Sequence, residues 1–245
     1  MIISLINRSK IVSDAQVQEV VRAINRQLCE DFEPYWHFGA TLRLEGPTGK
    51  RLRIDSLSDM RGDAVMYLLD GSNAEEATGW HLANCQDIPY GFVFLGLCAQ
   101  IEEPWSVTLS HETLELVGDP MSNLWVQGNH PTDRRKRVFH LFEMCDAVQA
   151  ETYTIDGVLV SNFVLPSYFS IGEQEGRRND FLGTVHNGKT LQSFGINPGG
   201  YLNIMDPKTG KWSQPDYGDA GAQLRKKAKT KVKGGRGYRR IHPAK

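Results

Sequence analysis

The chain has 245 residues, 40% of them apolar, which is enough to bury a sizeable core in one or two domains; one domain followed by a tail is expected. Its net charge of −1 hides a split, because residues 225–245 hold ten Lys/Arg and no acid, leaving 18 basic against 29 acidic side chains in residues 1–224. No apolar run reaches the roughly 18 residues of a membrane span, the four cysteines form no Cys-x-x-Cys pair and read as reduced thiols, and MIISLINRSK carries its basic residues after its apolar stretch, the reverse of a secretory signal. These features exclude a membrane or disulfide-framework protein and lead to the expectation of a cytoplasmic product.

Residues 2–7 (IISLIN) predict a first strand of apolar β-formers. A helix follows: Ser13 and Gln16 have capping-box spacing, Val17, Val20, Val21, Ile24 and Leu28 form a stripe at helical spacing, and Pro34 marks the end. Residues 37–46 alternate and then meet Gly-Pro, as a strand before a turn does, while 64–71 and 90–99 predict a third and fourth strand. Glu102, Glu103 and Pro104 suit the first turn of a helix through WSVTLSHETLELV that stops at Gly118. A further helix is expected over roughly 131–145. Beyond it the pattern changes to hairpins, one around Asp156-Gly157 and a looser one within GYLNIMDPKTGKWSQ. The class is therefore α+β, with helices early and hairpins late.

Chemistry concentrates in LSHETLELVGDP, residues 109–120. On a helix His111 and Glu115 project from one face about a turn apart and can reach one ion, while Glu112 lies a further 100° round and can face a water. This is the logic of His-Glu-x-x-His zinc sites, with a carboxylate as the second ligand. Asp119 would sit about 12 Å from His111 along an unbroken helix, but Gly118 and Pro120 can end the helix and let it fold back as a third ligand. The plain alternative is a solvent-facing helix with a hydrogen-bonded histidine and a routine Gly-Asp-Pro stop.

The string Ser-His-Glu-x-x-Glu-x-x-x-Asp-Pro resembles the signature of a zincin-like metallopeptidase family of bacterial and phage proteins. Further stretches are similar to that family: CEDFEPYW at 29–36, ATGWHLANCQDIPYGFVF at 77–94, FEMCDAVQAETYTIDGVLVSNFVLPSYF at 142–169, and DFLGTV with NPGGYLNI at 180–204. The resemblance covers roughly residues 1–215 and implies a zincin-like fold: a mixed sheet with the active-site helix along a cleft, bordered by an edge strand at 90–97 to which an extended peptide could add. It implies His111, Glu115 and Asp119 as metal ligands and Glu112 as general base. Glu143 and Asp146 match a second acidic pair that either supplies a ligand, orients one, or holds a separate ion such as calcium, unless they are two exposed carboxylates at a helix end. His81 matches a Gly-Tyr-His segment with Trp80 in place of tyrosine; it either polarises a substrate carbonyl, ligates, or is only hydrogen-bonded.

Zinc is the expected cofactor, with manganese or iron as alternatives because two carboxylates accompany one imidazole. The expected activity is hydrolysis of a peptide or protein substrate, in residues 1–224. The rival class is a non-enzymatic structural or assembly protein of a phage or bacterium, located in the host cytoplasm or virion. There the basic tail, with Arg225, Lys226, Lys227, Arg236, Arg239 and Arg240 around Tyr238, would contact nucleic-acid phosphates.

Overall fold

The computed structural model describes residues 1–71, 78–172 and 177–218. The basic tail and the expected domain end at 224 lie outside the described residues, so the nucleic-acid contacts assigned to Arg225, Lys226, Lys227, Arg236, Arg239 and Arg240 do too. Among the described residues no helix is long and apolar enough to cross a membrane.

Strand β1 (Ile2–Asn7) leads into helix α1 (Asp14–Arg26), whose N-terminus is closed by the Ser13/Gln16 capping box. Val17, Val20, Val21 and Ile24 form its buried stripe. The helical path does not stop before Pro34: it passes through a π-helical turn at Gln27–Phe32 into the short α2 (Glu33–Trp36). Proline is tolerated there because it occupies the first turn, where its missing N–H has no intrahelical partner to lose. Strands β2 (Thr41–Glu45) and β3 (Ala64–Leu69) then pair in parallel on either side of β1.

Strand β4 (Gly79–Ala83) and strand β5 (Pro89–Phe94) form an antiparallel hairpin. Asn84 closes it, its Oδ1 accepting from the backbone N–H of Gln86 (2.9 Å) and Ile88 (3.0 Å). The sheet order is β2-β1-β3-β5-β4. This corrects one expectation: the segment 90–97 is not the edge. Strand β5 is flanked by β3 and β4, and β4 borders the sheet. The strand expected over 90–99 also ends at Phe94, where α3 (Leu95–Gln100) begins and Gly96 approaches the Asp70 carbonyl so closely that its N–H donates to it at 2.9 Å.

Helix α4 (Trp105–Gly118) lies across the sheet, packed on β4 and β5 on one side and on β9 on the other. Beyond it the chain makes β6 (Trp125–Asn129), β7 (Arg137–Leu141), the hairpin β8 (Thr152–Ile155) and β9 (Val158–Ser161), and the short pair β10 (Ile204–Met205) and β11 (Trp212–Ser213). The helix expected over 131–145 is therefore absent. Residues 137–141 alternate outward and inward, with Val138 and His140 buried, and pair with β6 and β10. Both late hairpins occur, the first turning on Asp156 and Gly157 with positive φ at both, the conformation that an Asp-Gly turn favours.

The main core joins one face of the large sheet to α1 and α4 through Ile3, Leu5, Met66, Val21, Ile24, Leu109, Leu116 and Phe163. The opposite face is covered by Leu52, Leu57 and Met60 over Tyr67 and Phe92. A third cluster around Val138, Tyr168 and Leu202 holds the late strands against the segment after β7.

Candidate metal centre

Every residue of α4 from Ser106 to Gly118 is buried. The helix is buried on every face although half of its side chains are polar, so Glu112 and Glu115 do not decorate a solvent face: they are 2% and 1% exposed. The helix is held by polar side chains as well as by leucines. Ser110 Oγ donates to Gln27 Oε1 (2.6 Å) and accepts from the Ser161 N–H (3.1 Å), while Gln27 Nε2 donates to the Ser161 carbonyl (2.8 Å). Ser106 Oγ donates to the Leu159 carbonyl at 2.8 Å. The serine that opens the His-Glu motif thus locks α4 to the π-helical turn and to β9, a role that its place in the sequence does not suggest.

On the other side, β4 meets the Glu112 and Thr108 side chains of α4 through a residue with no side chain of its own, Gly79. A Cβ on Gly79 would lie 2.8 Å from both Glu112 Cγ and Thr108 Cγ2. Glycine at this position lets the edge strand settle on the helix, which brings His81 over its acidic residues. His81 Nδ1 lies 3.2 Å from Glu112 Oε2 and 3.9 Å from Glu115 Oε2. Its Nε2 is buried and has no hydrogen-bond partner among the described residues.

The third wall comes from the segment after β7. Met144 packs against Gly118, where a Cβ would collide with it, and so draws residues 143–146 onto the end of α4. His111 Nε2 lies 3.1 Å from Glu115 Oε1 and 3.4 Å from Asp146 Oδ1. Glu115 Oε1 also accepts from the Cys145 N–H at 3.4 Å, and Asp146 Oδ2 accepts from Asn203 Nδ2 at 3.3 Å. Glu143 and Asp146 are 8% and 0% exposed, so the alternative that they are exposed carboxylates at a helix end is wrong. Burying the apolar side chains of Met144 and Cys145 on α4 carries the two acids inward with them.

Two triads of ligand atoms, each mutually within 4.8 Å, result: His111, Glu115 and Cys145, and His81, Glu115 and Glu143. Buried histidine, glutamate and cysteine side chains that could hold a metal ion therefore converge at this point. Imidazole, thiolate and carboxylate are all groups that ligate metal ions. The sequence reads the four cysteines as reduced thiols and leaves a role open for Cys145 alone, and no spacing rule links it to His111.

Asp119 belongs elsewhere in the geometry. Its Oδ1 accepts from the Asn123 N–H (3.0 Å) and its Oδ2 from the Leu124 N–H (2.9 Å), and it is a member of neither triad. It shapes the turn after α4. Within that turn Ser122 Oγ donates to the His81 carbonyl at 3.3 Å, which ties the turn to the edge strand. The remaining thiols are free; Cys29 and Cys85 are exposed, and burial pushes the Cys98 thiol up to about 12.

No family model matches the chain, and no match is found among curated proteins. What the centre can do is therefore read from its own side chains: two imidazoles, a thiol and four carboxylates, all buried, gathered at the junction of α4, the edge strand β4 and residues 143–146.

Proposed function

We propose that the protein is a zinc-dependent hydrolase that cleaves peptide bonds with an activated water, in a zincin-like arrangement. One observation carries this reading: buried donors from three separate segments, His111, Glu115 and Cys145 in one group and His81, Glu115 and Glu143 in another, bring their ligand atoms within 4.8 Å of one another. Removing a carboxylate from water costs several kcal/mol unless opposite charge compensates. A divalent cation held by the His111, Glu115 and Cys145 or the His81, Glu115 and Glu143 ligand atoms would supply such charge.

His111 and Glu115 would hold the cation, with Asp146 or Cys145 completing the set. Bound there, it would supply Lewis acidity, lowering the pKa of a water to about 7 and polarising a carbonyl. Glu112 is the general base: it takes the proton from the water and returns it to the leaving amine. His81, 3.2 Å from Glu112 Oε2, orients that carboxylate. Among the described residues β4 borders the sheet and pairs only with β5, and its outer side would offer backbone groups along which an extended peptide can be aligned. That edge lies beside the base, which favours a peptide over a small substrate.

The test is metal analysis and peptide hydrolysis on protein purified without chelators. Wild type is expected to carry zinc and to cut an unstructured protein substrate, Glu112→Gln to keep the metal and lose hydrolysis, and His111→Ala to lose both. A wild-type protein that takes up no transition metal on titration removes the proposal.

A further inference from the structure

The two triads share one residue, and the way they share it matters. Glu115 Oε1 faces His111 Nε2 at 3.1 Å and the Cys145 N–H at 3.4 Å. Its other oxygen, Oε2, faces His81 Nδ1 at 3.9 Å. A carboxylate whose two oxygens address different histidines is arranged as a bridge rather than as a ligand to one ion. On the His81 side stand Glu143 and Glu115; on the His111 side stand Cys145 and, at 3.4 Å, Asp146.

A second observation concerns the histidine of the edge strand. His81 is 7% exposed and its Nε2 is left without a hydrogen-bond partner among the described residues, while Nδ1 sits 3.2 Å from Glu112 Oε2. A buried imidazole nitrogen with no partner costs about 1–3 kcal/mol. The Nδ1 edge of the ring is the one turned to the acids, towards Glu112 Oε2 and Glu115 Oε2, and Nδ1 is therefore the nitrogen placed to share an ion with Glu115.

We infer that the centre takes two divalent transition-metal ions rather than one, with Glu115 bridging them, His111 and Cys145 or Asp146 on the first and His81 and Glu143 on the second. Two-metal sites place their ions about 3.5–4 Å apart, a span that one carboxylate bridges. The inference rests on the metal reading of the same cluster and extends it: the edge strand becomes part of the metal site instead of only flanking it. The second ion would also stand next to Glu112, so that the base works between two positive centres.

Zinc uptake on the full-length chain, counted by elemental analysis after removal of free metal, tests this. Wild type is expected to bind two equivalents, His81→Asn and Glu143→Gln one each, and Glu115→Gln to lose at least half of the wild-type content. If wild type binds one equivalent that survives His81→Asn and Glu143→Gln, the two-ion inference is overturned while the single-ion reading stands. If wild type binds none, both fall. Two equivalents that persist in His81→Asn also overturn it. Since a variant of a buried residue can fail to fold, wild type loaded with manganese(II) gives a second readout by electron paramagnetic resonance. Ions across one carboxylate produce an exchange-coupled spectrum, whereas the six-line signal of isolated manganese throughout the titration contradicts the inference.

Discussion

Removing the metal should cost stability that can be calculated. If the folded chain binds the ion and the unfolded chain does not, free zinc at about 100 times its dissociation constant adds about 2.7 kcal/mol. Unfolding entropy near 60 °C is about 2.1 cal/mol/K per residue, or about 0.4–0.5 kcal/mol/K for a chain of this size. The midpoint of thermal unfolding should therefore rise by about 5–6 °C between chelator-treated protein and protein with zinc at that excess. The expectation is stronger than for a surface site, because Glu115 and Asp146 are 1% and 0% exposed and an ion held there is screened little by solvent. Differential scanning calorimetry across a zinc series, with Glu115→Gln alongside, reads the effect. The variant should show a smaller zinc-dependent rise than wild type and should lie closer to the wild type in chelator than to the wild type in zinc. An equal rise in both proteins, or none in either, refutes the reasoning, since the effect must run through that carboxylate.

Other expectations follow from single contacts. Gly79→Ala places a methyl group 2.8 Å from Glu112 Cγ and Thr108 Cγ2, so it should destabilise by about 1–3 kcal/mol in chemical denaturation and lower kcat more than its stability loss accounts for, by lifting β4 off the base. Ser110→Ala leaves Gln27 Oε1 and the Ser161 N–H without their shared partner and should cost about 1–3 kcal/mol, with zinc affinity nearly unchanged because the hydroxyl faces away from the triads. Burial holds His140 down to about 4 from 6.5, so between those values the unfolded chain takes up a proton that the folded chain refuses. Stability is then full above pH 6.5, falls by about 3 kcal/mol as pH drops towards 4, and levels below it. Urea midpoints measured across this window should show the slope in wild type and lose that part of it in His140→Asn; identical slopes contradict the assignment.

Locally encoded features were legible in the sequence. The Ser13/Gln16 capping box and the Asp156-Gly157 hairpin depend on residues within a few positions of each other, and both form as their chemistry requires. The α+β class was legible for the same reason. Strand β7 was hidden because the charged run Asp133–Arg137 obscures the alternation of Val138 and His140 that follows it. Strand β4 is five residues long and owes its place to pairing with β5 and to the side chain of Asn84, so the wrong strand was assigned to the sheet edge.

The centre divides in the same way. His111, Glu112 and Glu115 could be grouped from helical periodicity alone. Asp119 could not be sorted, because Gly-Asp-Pro is compatible both with a ligand and with the turn it makes through Asn123 and Leu124. The meeting of His81, Cys145 and Asp146 with the helix depends on packing between residues more than 25 positions apart: Gly79 against Glu112, and Met144 against Gly118. No local rule contains those contacts.

Anomalous scattering from crystals grown with zinc tests the central claim most directly, since diffraction on both sides of the zinc edge locates the element itself. A zinc peak within about 2.0–2.2 Å of His111 Nε2 and a Glu115 oxygen is the result expected of a ligated ion. Diffraction to comparable resolution with no zinc peak at that junction, and with the His111 imidazole donating straight to Glu115, would contradict it.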